Sequence, residues 1–207
     1  MNFEEAFNHL KSDKVMSFLI QKFGKEITLY DRYEDNYAKA ISLLIIEQQV
    51  SFKAAITIKK RFIKLIDKKN NKDILGIEDE KLQSIGISNR KVSYIKNTYQ
   101  YFEENKIEFQ KLNDNEIIKE LIKIKGVGLW TAEMFLIFIL FKINIFSKGD
   151  LALINSVKKN YQIENLDDLK LERITQKWEP YKSIASLLLW KSIEEKVFYN
   201  YISKKIQ

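Results

Sequence analysis

An aspartate that opens a predicted helix is the residue in this sequence best placed to do chemistry. Asp150 follows the pair Lys148-Gly149 and precedes an apolar helical pattern that runs from Leu151 to Tyr161. A side chain at this position accepts hydrogen bonds from the first backbone N–H groups of the helix, and these bonds stabilise a carboxylate. Most such aspartates only cap a helix. A carboxylate held in this way can also stabilise developing positive charge and position or deprotonate a water molecule.

Upstream of Asp150, a glycine-rich turn between two predicted helices offers backbone N–H groups to an anion. The turn is Lys125-Gly126-Val127-Gly128, and a strongly apolar helix is predicted after it, over roughly residues 130–141. Asn113 and Glu116 form the capping signature of the helix before it. Glycines leave the N–H groups uncovered, and the second helix adds the positive end of its dipole. The turn is therefore a candidate phosphate site, although an ordinary glycine-capped hairpin also fits this pattern taken alone.

The composition predicts a helical protein with a basic surface. A length of 207 residues allows one substantial core with two lobes. The 6 glycines and 1 proline provide little turn chemistry, which argues against an all-β fold. The excess of 35 basic over 28 acidic residues gives a net charge of +7, which suits a polyanionic partner. Abundant isoleucine, lysine and asparagine, of the kind that AT-rich genomes encode, account for part of this charge.

Several classes of chemistry are excluded by residue types. The chain has no cysteine, which excludes disulfides and iron–sulfur clusters held by thiolates. His9 is the only histidine, so zinc or iron bound through imidazole is not expected. No stretch of about 18 uncharged apolar residues is present. We therefore expect a cytoplasmic monomer that needs no cofactor and no membrane.

Four separated motifs resemble the helix-hairpin-helix (HhH-GPD) DNA glycosylase superfamily, in which a glycine-rich hairpin is followed by an aspartate. Within it, the chain most resembles the 3-methyladenine DNA glycosylase II family, and the likeness covers nearly the whole chain. The motifs are, in chain order, Ile45-Ile46-Glu47-Gln48-Gln49-Val50-Ser51, the hairpin with Trp130-Thr131-Ala132-Glu133-Met134, Lys148-Gly149-Asp150-Leu151-Ala152-Leu153, and Trp178-Glu179-Pro180-Tyr181-Lys182-Ser183 with Leu187-Leu188-Leu189-Trp190.

The resemblance implies an all-α fold with two lobes and a cleft between them. All of residues 1–207 then form a single glycosylase domain. One lobe is expected over about residues 36–142, and the other over about residues 1–35 together with residues 143–207. Asp150 is expected at the cleft.

The resemblance also implies a monofunctional enzyme of base excision repair. Its expected reaction is hydrolysis of the N-glycosidic bond of alkylated purines, of the 3-methyladenine and 7-methylguanine type, in duplex DNA. An alkylated purine is already cationic and leaves without much protonation, so Asp150 alone can suffice. Relatives that also cleave the strand carry a nucleophilic lysine just after the hairpin, where this chain has Trp130. No lyase activity is expected, although spacing alone leaves Lys125 and Lys148 open.

Two other functions remain compatible with the sequence. One is a glycosylase for another base lesion, and the other is a non-catalytic helix-hairpin-helix module that only binds DNA. The intact pair Gly149-Asp150 favours the enzyme. A module that only binds DNA would bind undamaged and alkylated duplex alike.

The resemblance assigns side chains to the extruded base and to the DNA backbone. Without it, a tryptophan on an apolar helix would be assigned to the core. Gln49 is expected to fill the gap that the base leaves in the stack. A second hairpin is expected over residues 82–91, where Arg90 and Lys91 could add backbone contacts. The expected base-pocket residues are Trp130, Trp190, Met134 and Leu151, and the expected DNA-contacting residues are Lys125, Gly126, Val127, Gly128, Thr131, Gln48, Gln49 and Ser51.

The family pattern further implies a structural monovalent cation at the hairpin, held by the backbone carbonyls of Ile122, Ile124 and Val127. The chain departs from the family pattern at four positions, so the resemblance leaves open which base lesions are recognised. Glu47 replaces a residue that is usually glycine, Leu129 stands where proline is common, and Met134 and Leu151 each replace an aromatic residue.

Overall fold

A computed structural model describes residues 3–199 of the chain. Within these residues the regular structure is helical and contains no strand, which confirms the predicted all-α class. Two short 3₁₀ segments, Tyr30–Arg32 and Phe109–Lys111, occur between the helices. The α-helices are α1 (Glu4–Leu10), α2 (Lys14–Phe23), α3 (Tyr37–Glu47), α4 (Phe52–Ile66), α5 (Asn71–Leu75), α6 (Asp79–Ser84), α7 (Asn89–Glu104), α8 (Asp114–Ile122), α9 (Leu129–Phe138), α10 (Leu151–Tyr161), α11 (Asp168–Gln176) and α12 (Lys182–Glu195).

The chain divides into two compact units. The terminal unit comprises Met1–Asp31 and Phe141–Gln207, and the central unit comprises Arg32–Leu140. The lobes expected from the sequence had their boundaries at about residues 35 and 142. None of the helices within residues 3–199 is both long enough and apolar enough to cross a membrane.

The helices that flank the glycine-rich turn begin and end for local reasons. The predicted capping signature before α8 is confirmed, because the Asn113 side chain accepts from Glu116 N and the Glu116 side chain accepts from Asn113 N, at 3.0 and 2.8 Å. α9 was predicted over residues 130–141 but ends three residues earlier, at Phe138. Phe141 has a φ of 54°, in the left-handed region that a helix cannot include.

The core of the central unit is built around α3 and α9, which pack against each other. α3 also contacts α4 and α7, and α8 packs on α9. An aromatic cluster of Tyr37, Phe109 and Phe135 fills one part of this core, with ring centroids 5.1–5.5 Å apart. Since residues 134–139 are all buried, the hairpin that precedes them is attached to a rigid support.

The terminal unit joins the two ends of the chain in one core. α12 packs on α2 and α10, and the fully buried Trp178 lies 5.7 Å from the Phe146 ring. A buried polar contact connects α10 with α12, because Ser156 Oγ donates to Leu189 O at 2.8 Å. These contacts fix the start of α10, where the candidate carboxylate stands.

The stability of the terminal unit depends on Asp13, which joins α2 to α10. Asp13 Oδ1 accepts from Val15 N at 2.8 Å, and Oδ2 accepts from Tyr161 Oη at 2.7 Å. Burial and the Asp13 carboxylate raise the pKa of the Tyr161 hydroxyl, so it stays a donor.

We expect Asp13→Ala to lower the free energy of unfolding by roughly 2–4 kcal/mol, because it removes a helix cap and leaves the Tyr161 hydroxyl without this acceptor. Urea unfolding followed by circular dichroism measures the loss. Asp167→Ala removes an exposed cap from α11 and should cost less. Equal losses in the two variants would show that the Tyr161 contact contributes nothing.

Candidate functional site

Asp150 is the N-cap of α10, as the sequence predicts. Its backbone is extended, with φ of −81° and ψ of 108°, and its Oδ1 accepts from Leu153 N at 2.9 Å. The residue is only 8% exposed. Its own N–H donates to Ser147 O at 3.2 Å, which closes the turn through Lys148 and Gly149. The first turn of α10 therefore holds Oδ1 of the carboxylate, and the preceding turn fixes the backbone that bears it.

The loop that leads to Asp150 is anchored by Ser183, a residue whose role the sequence analysis missed. The Ser183 hydroxyl donates to Lys142 O at 2.6 Å and accepts from Ile145 N at 3.0 Å. Ser183 N also donates to Ile143 O at 2.9 Å. Ser183 is fully buried near the start of α12, so residues 142–145 are tied to that helix. The only sequence signal was its place in the motif that begins at Trp178.

The residues next to Asp150 are open to solvent. Lys148 and Gly149 are exposed, and a Cβ added at Gly149 would meet no atom of the described residues within 4 Å apart from its chain neighbours. Leu151 is 78% exposed. Trp190 is half-buried on α12, where it packs against the core of the terminal unit. Of the expected base-pocket residues, Leu151 and Trp190 thus belong to the same unit as Asp150.

The other two expected base-pocket residues lie on α9 of the central unit. Trp130 is half-buried in the first turn of this helix, and Met134 is 1% exposed one turn further on. Met134 therefore takes the place of a family aromatic residue as a core side chain. The grouping of all four residues around one base remains a prediction.

The two glycines of the hairpin serve different purposes. Gly126 has a φ of +106°, and a Cβ there would lie 2.2 Å from Cγ of Tyr94. Gly128 is extended, with φ of −98°, and a Cβ there would lie more than 4 Å from any described atom beyond its neighbours. Gly126 is thus required by the fold itself. Gly128 leaves open space in front of the start of α9.

The start of α9 has the features of an anion site. Among the described residues no side chain caps it, and Gly128 is its N-cap. The first N–H groups of any helix lack intrahelical acceptors, and they carry the positive end of the dipole. Lys125, Gly128 and Leu129 are exposed around this end, and Leu129 is 53% exposed where the family often has proline. A phosphate therefore fits the chemistry of this helix start.

The hairpin is bonded to the segment that follows α3. Gln48 Nε2 donates to Gly126 O at 3.1 Å and to Thr131 Oγ1 at 2.9 Å. The carbonyl of Gly126 can only accept, so the nitrogen of the amide must face it. Thr131 is 1% exposed. The structure thus gives both side chains an internal role that the sequence did not predict, and their contact with DNA remains a prediction.

A second internal bond to this segment comes from Lys91, which the sequence analysis treated as a candidate DNA contact. Lys91 Nζ donates to Ile46 O at 2.9 Å and to Gln48 O at 2.5 Å. Burial, and to a lesser degree the neighbouring Arg90, lowers the pKa of the Lys91 ammonium. The ammonium is therefore directed into the protein, onto carbonyls at the end of α3. Only the three-dimensional structure shows this, because the contact spans more than 40 residues.

Glu47, which stands where the family usually has glycine, ends α3 in an ion-pair network. Its Oε2 accepts from Arg32 Nη1 at 2.9 Å, and its Oε1 accepts from the Lys59 ammonium. Arg32 also lies over the Phe138 ring, 4.5 Å from its centroid. The side chain of Glu47 is 12% exposed. The departure from glycine therefore has a local explanation, since the carboxylate joins the end of α3 to α4.

Gln49, the expected plug residue, stands at an exposed corner after α3. It adopts a φ of 54°, and its Oε1 accepts from Arg90 Nη2 at 3.2 Å. The next residue, Val50, is 37% exposed. Ser51 then caps α4 by accepting from Ala54 N at 3.3 Å. Ser51 thus has a structural role, and its contact with DNA remains a prediction.

The carbonyls expected to hold a cation lie at the turn between α8 and α9. Ile124 O accepts from Val127 N at 2.9 Å, and Ile122 is the last residue of α8, where carbonyls lack intrahelical donors. Carbonyl oxygens of this kind fit a hard monovalent cation. Elsewhere in the described part of the chain, no group of three His, Cys, Asp or Glu residues could hold a metal ion. The cation site remains a prediction.

Known proteins resemble this chain in sequence and in structure. Residues 43–184 match the model of the HhH-GPD superfamily base excision DNA repair proteins. The Bacillus subtilis protein YfjP, whose name as a DNA-3-methyladenine glycosylase is itself provisional, is 32% identical over 163 residues. That match covers 72% of this chain, but the chain spans only 56% of the length of YfjP.

Two further proteins match most of the chain. A DNA-3-methyladenine glycosylase of Saccharomyces cerevisiae is 28% identical over 91% of this chain and 80% of its own length. The crystal structure of a DNA-3-methyladenine glycosidase from Bacillus halodurans has a TM-score of 0.72 to this structure at 29% identity. It covers 94% of this chain and 92% of the other.

The different surroundings of the two hairpin glycines lead to a paired prediction. We expect Gly126→Ala to lower the free energy of unfolding by about 1–3 kcal/mol, because it forces a positive φ on a residue with a side chain and pushes Tyr94 aside. Gly128→Ala should leave stability unchanged or slightly higher.

Gly128→Ala should nevertheless weaken binding to damaged and undamaged duplex DNA alike, because its methyl group stands where a phosphate would approach. Fluorescence anisotropy at several salt concentrations, beside urea unfolding, measures both quantities. A Gly128→Ala variant that binds duplex DNA as tightly as the parent would refute the phosphate site.

Proposed function

Because the chain belongs to the HhH-GPD superfamily of base excision DNA repair proteins, we propose that it is a monofunctional DNA glycosylase for alkylated purines in duplex DNA. The names of the yeast and Bacillus halodurans relatives support substrates of the 3-methyladenine type. One observation carries the proposal. The buried carboxylate of Asp150 is fixed at the start of α10, in a chain that also has an uncapped hairpin helix suited to a phosphate.

In the proposed reaction, Asp150 stabilises the sugar while the base departs. Breaking the bond between the base and C1′ leaves positive charge on the deoxyribose ring, and a carboxylate on the face opposite the base lowers the energy of that state. The bond from Leu153 N to Oδ1 keeps the carboxylate in place. A water molecule activated by the same carboxylate then adds to C1′. The products are the free base and an abasic site.

A second catalytic carboxyl is not needed for this substrate class. A purine alkylated at a ring nitrogen already carries positive charge, and it leaves as a neutral base without a proton from an acid. The same reasoning limits the substrate range, because a neutral lesion would need a proton that Asp150 does not supply. The proposed enzyme therefore favours cationic lesions.

Strand cleavage is not part of the proposed activity. A lyase needs an amine that attacks the sugar carbon, and Trp130 has none at the position after the hairpin. Lys125, in the hairpin, and Lys148, two residues before Asp150, are both exposed. The absence of strand nicks after base release would exclude both as nucleophiles.

The test of the proposal is the release of free bases from methylated duplex DNA, resolved by chromatography. Release of 3-methyladenine and 7-methylguanine with no strand cleavage is the expected result. Release of a different base would indicate a glycosylase for another lesion. Tight binding without any release would indicate a module that only binds DNA.

We expect Asp150→Asn to slow single-turnover base release by at least about 10²-fold, because it removes the negative charge that faces the sugar. The amide oxygen can still accept from Leu153 N, so the cap and the fold should persist. Binding to duplex DNA with an abasic-site analogue, measured by anisotropy, should stay close to that of the parent. Asp167→Asn is the matched control, because it changes the N-cap of α11 in the same way. Base release by Asp150→Asn at the parental rate would refute the proposed role of the Asp150 carboxylate.

The two tryptophans provide a test of selectivity. If Trp130 and Trp190 line the base pocket, their rings favour a cationic base by about 2 kcal/mol, or roughly thirtyfold. Trp130→Ala and Trp190→Ala should therefore cost more on 3-methyladenine than on neutral hypoxanthine in single-turnover assays. Equal losses on both bases would mean that the rings only pack against the base or position it. No loss would mean that the two tryptophans are core residues without a role in the pocket.

A further inference from the structure

We propose that Lys91 and Gln48 are positioning residues that hold the plug loop, residues 48–51, in the conformation that base extrusion requires. The inference rests on the proposed function, because it concerns the segment that fills the gap left by the extruded base. Both side chains act from inside the central unit, and the residue they position is Gln49.

Lys91 fixes the backbone of the plug loop where it leaves α3. Two of its three N–H donors are bonded to Ile46 O and Gln48 O, at 2.9 and 2.5 Å. Carbonyls at the end of a helix lack intrahelical donors and carry the negative end of the dipole. The Lys91 ammonium donates hydrogen bonds to these carbonyls, and its positive charge interacts favourably with the negative end of the dipole. The ammonium occupies this place although burial disfavours its charge, so the carbonyl bonds must offset that cost.

Gln48 fixes the same loop through the contacts of its side chain with the hairpin. Its backbone carbonyl is held by Lys91, while its side-chain amide donates to Gly126 O and Thr131 Oγ1. Gly126 cannot shift easily, because it lies against Tyr94 at a positive φ. The first residue of the plug loop is therefore bonded both to Lys91 on α7 and to the hairpin.

These bonds explain how Gln49 keeps an unfavourable backbone. The left-handed region is unfavourable for a residue with a side chain, and such a residue persists there only where its neighbours hold it in place. Gln49 has a φ of 54° directly after Gln48, and two residues later Ser51 caps α4. The strained corner directs the exposed side chain of Gln49 outward, where Arg90 bonds to it.

A plug loop that is already ordered in the free protein affects base extrusion more than it affects the first contact with DNA. Phosphate docking at the start of α9 does not need the loop, whereas filling the gap in the stack does. A loop that is disordered before binding must be ordered during extrusion, and that entropy cost slows the step. Variants of Lys91 or Gln48 should therefore extrude the base poorly even when they are fully bound to duplex DNA.

The first arm of the test measures the loop in the free protein, without DNA or activity. Hydrogen–deuterium exchange is compared among the wild type, Lys91→Met, Lys91→Arg, Gln48→Glu and the control Lys119→Met. We expect the hydrogen-bonded amides on either side of the plug loop, those of Gln48 and Ala54, to exchange at least about tenfold faster in Lys91→Met. That change corresponds to the loss of about 1.4 kcal/mol. Lys91→Arg keeps the charge and the donors and should largely restore protection. Lys119→Met removes the same charge from an exposed position on α8 and should match the wild type.

The second arm measures extrusion and base release. Gln48→Glu replaces the donor nitrogen with an oxygen that faces Gly126 O, at almost unchanged size. Lys91→Met and Gln48→Glu should each slow single-turnover release of 3-methyladenine by about tenfold or more. They should also weaken the fluorescence change of 2-aminopurine placed beside the lesion, at protein concentrations that saturate the duplex, so that a change in affinity does not enter the comparison. Gln48→Glu keeps the test decisive if Lys91→Met fails to fold.

The outcomes separate this inference from the proposed function. A wild type that releases no alkylated purine overturns the proposed function, and the exchange arm then decides alone whether Lys91 and Gln48 position the loop. An active wild type with unchanged exchange in Lys91→Met and Gln48→Glu overturns the positioning role. Faster exchange combined with parental rates of release also overturns it, because the loop order would then have no effect on extrusion.

Discussion

The hairpin of the central unit depends on the missing side chain of Gly126. At a φ of +106° and with Tyr94 2.2 Å from where a Cβ would be, no other residue fits without displacing that ring. Tyr94 lies on α7, and the same helix bears Lys91 one turn earlier and Asn97 one turn later. Asn97 Nδ2 donates to Lys125 O at 3.4 Å. Because residues three apart share a helix face, α7 aligns the plug loop, Gly126 and Lys125 along one edge.

Four basic residues near the hairpin and the plug loop fall into two groups. Lys59 and Lys91 are directed inward, one to Glu47 and the other to backbone carbonyls. Lys125 and Arg90 are exposed beside the hairpin and the plug loop. The charge of Lys59 is offset by Glu47 and is therefore already cancelled in the net charge of +7, whereas Lys91 is counted in full although it is bonded to backbone carbonyls. A phosphate at the start of α9 would meet chiefly backbone N–H groups and the helix dipole, which composition does not reveal.

The sequence predicts those parts of the fold and site that depend on local chemistry. The capping signature of Asn113 and the N-cap position of Asp150 rest on bonds between residues three apart, so the sequence pattern contains them. The contacts of Lys91 and of Ser183 join residues at least 38 positions apart. Nothing in the local pattern distinguishes such a lysine or serine from a solvent-exposed one. The predicted end of α9 was wrong for a related reason. Apolar residues continue past Phe138 in the sequence, whereas the backbone turns at Phe141.

The hardest distinction for any sequence argument is between an aspartate that only caps and one that also reacts. Asp13 and Asp150 both open helices of the terminal unit, and each accepts from the backbone through Oδ1. Asp13 also accepts from Tyr161 through Oδ2, which gives it a structural role in joining α2 to α10. Asp150 follows an exposed glycine with open space at its Cβ position, in a loop that Ser183 anchors. The surroundings of the cap, rather than the cap itself, therefore favour Asp150 as the residue that meets a substrate.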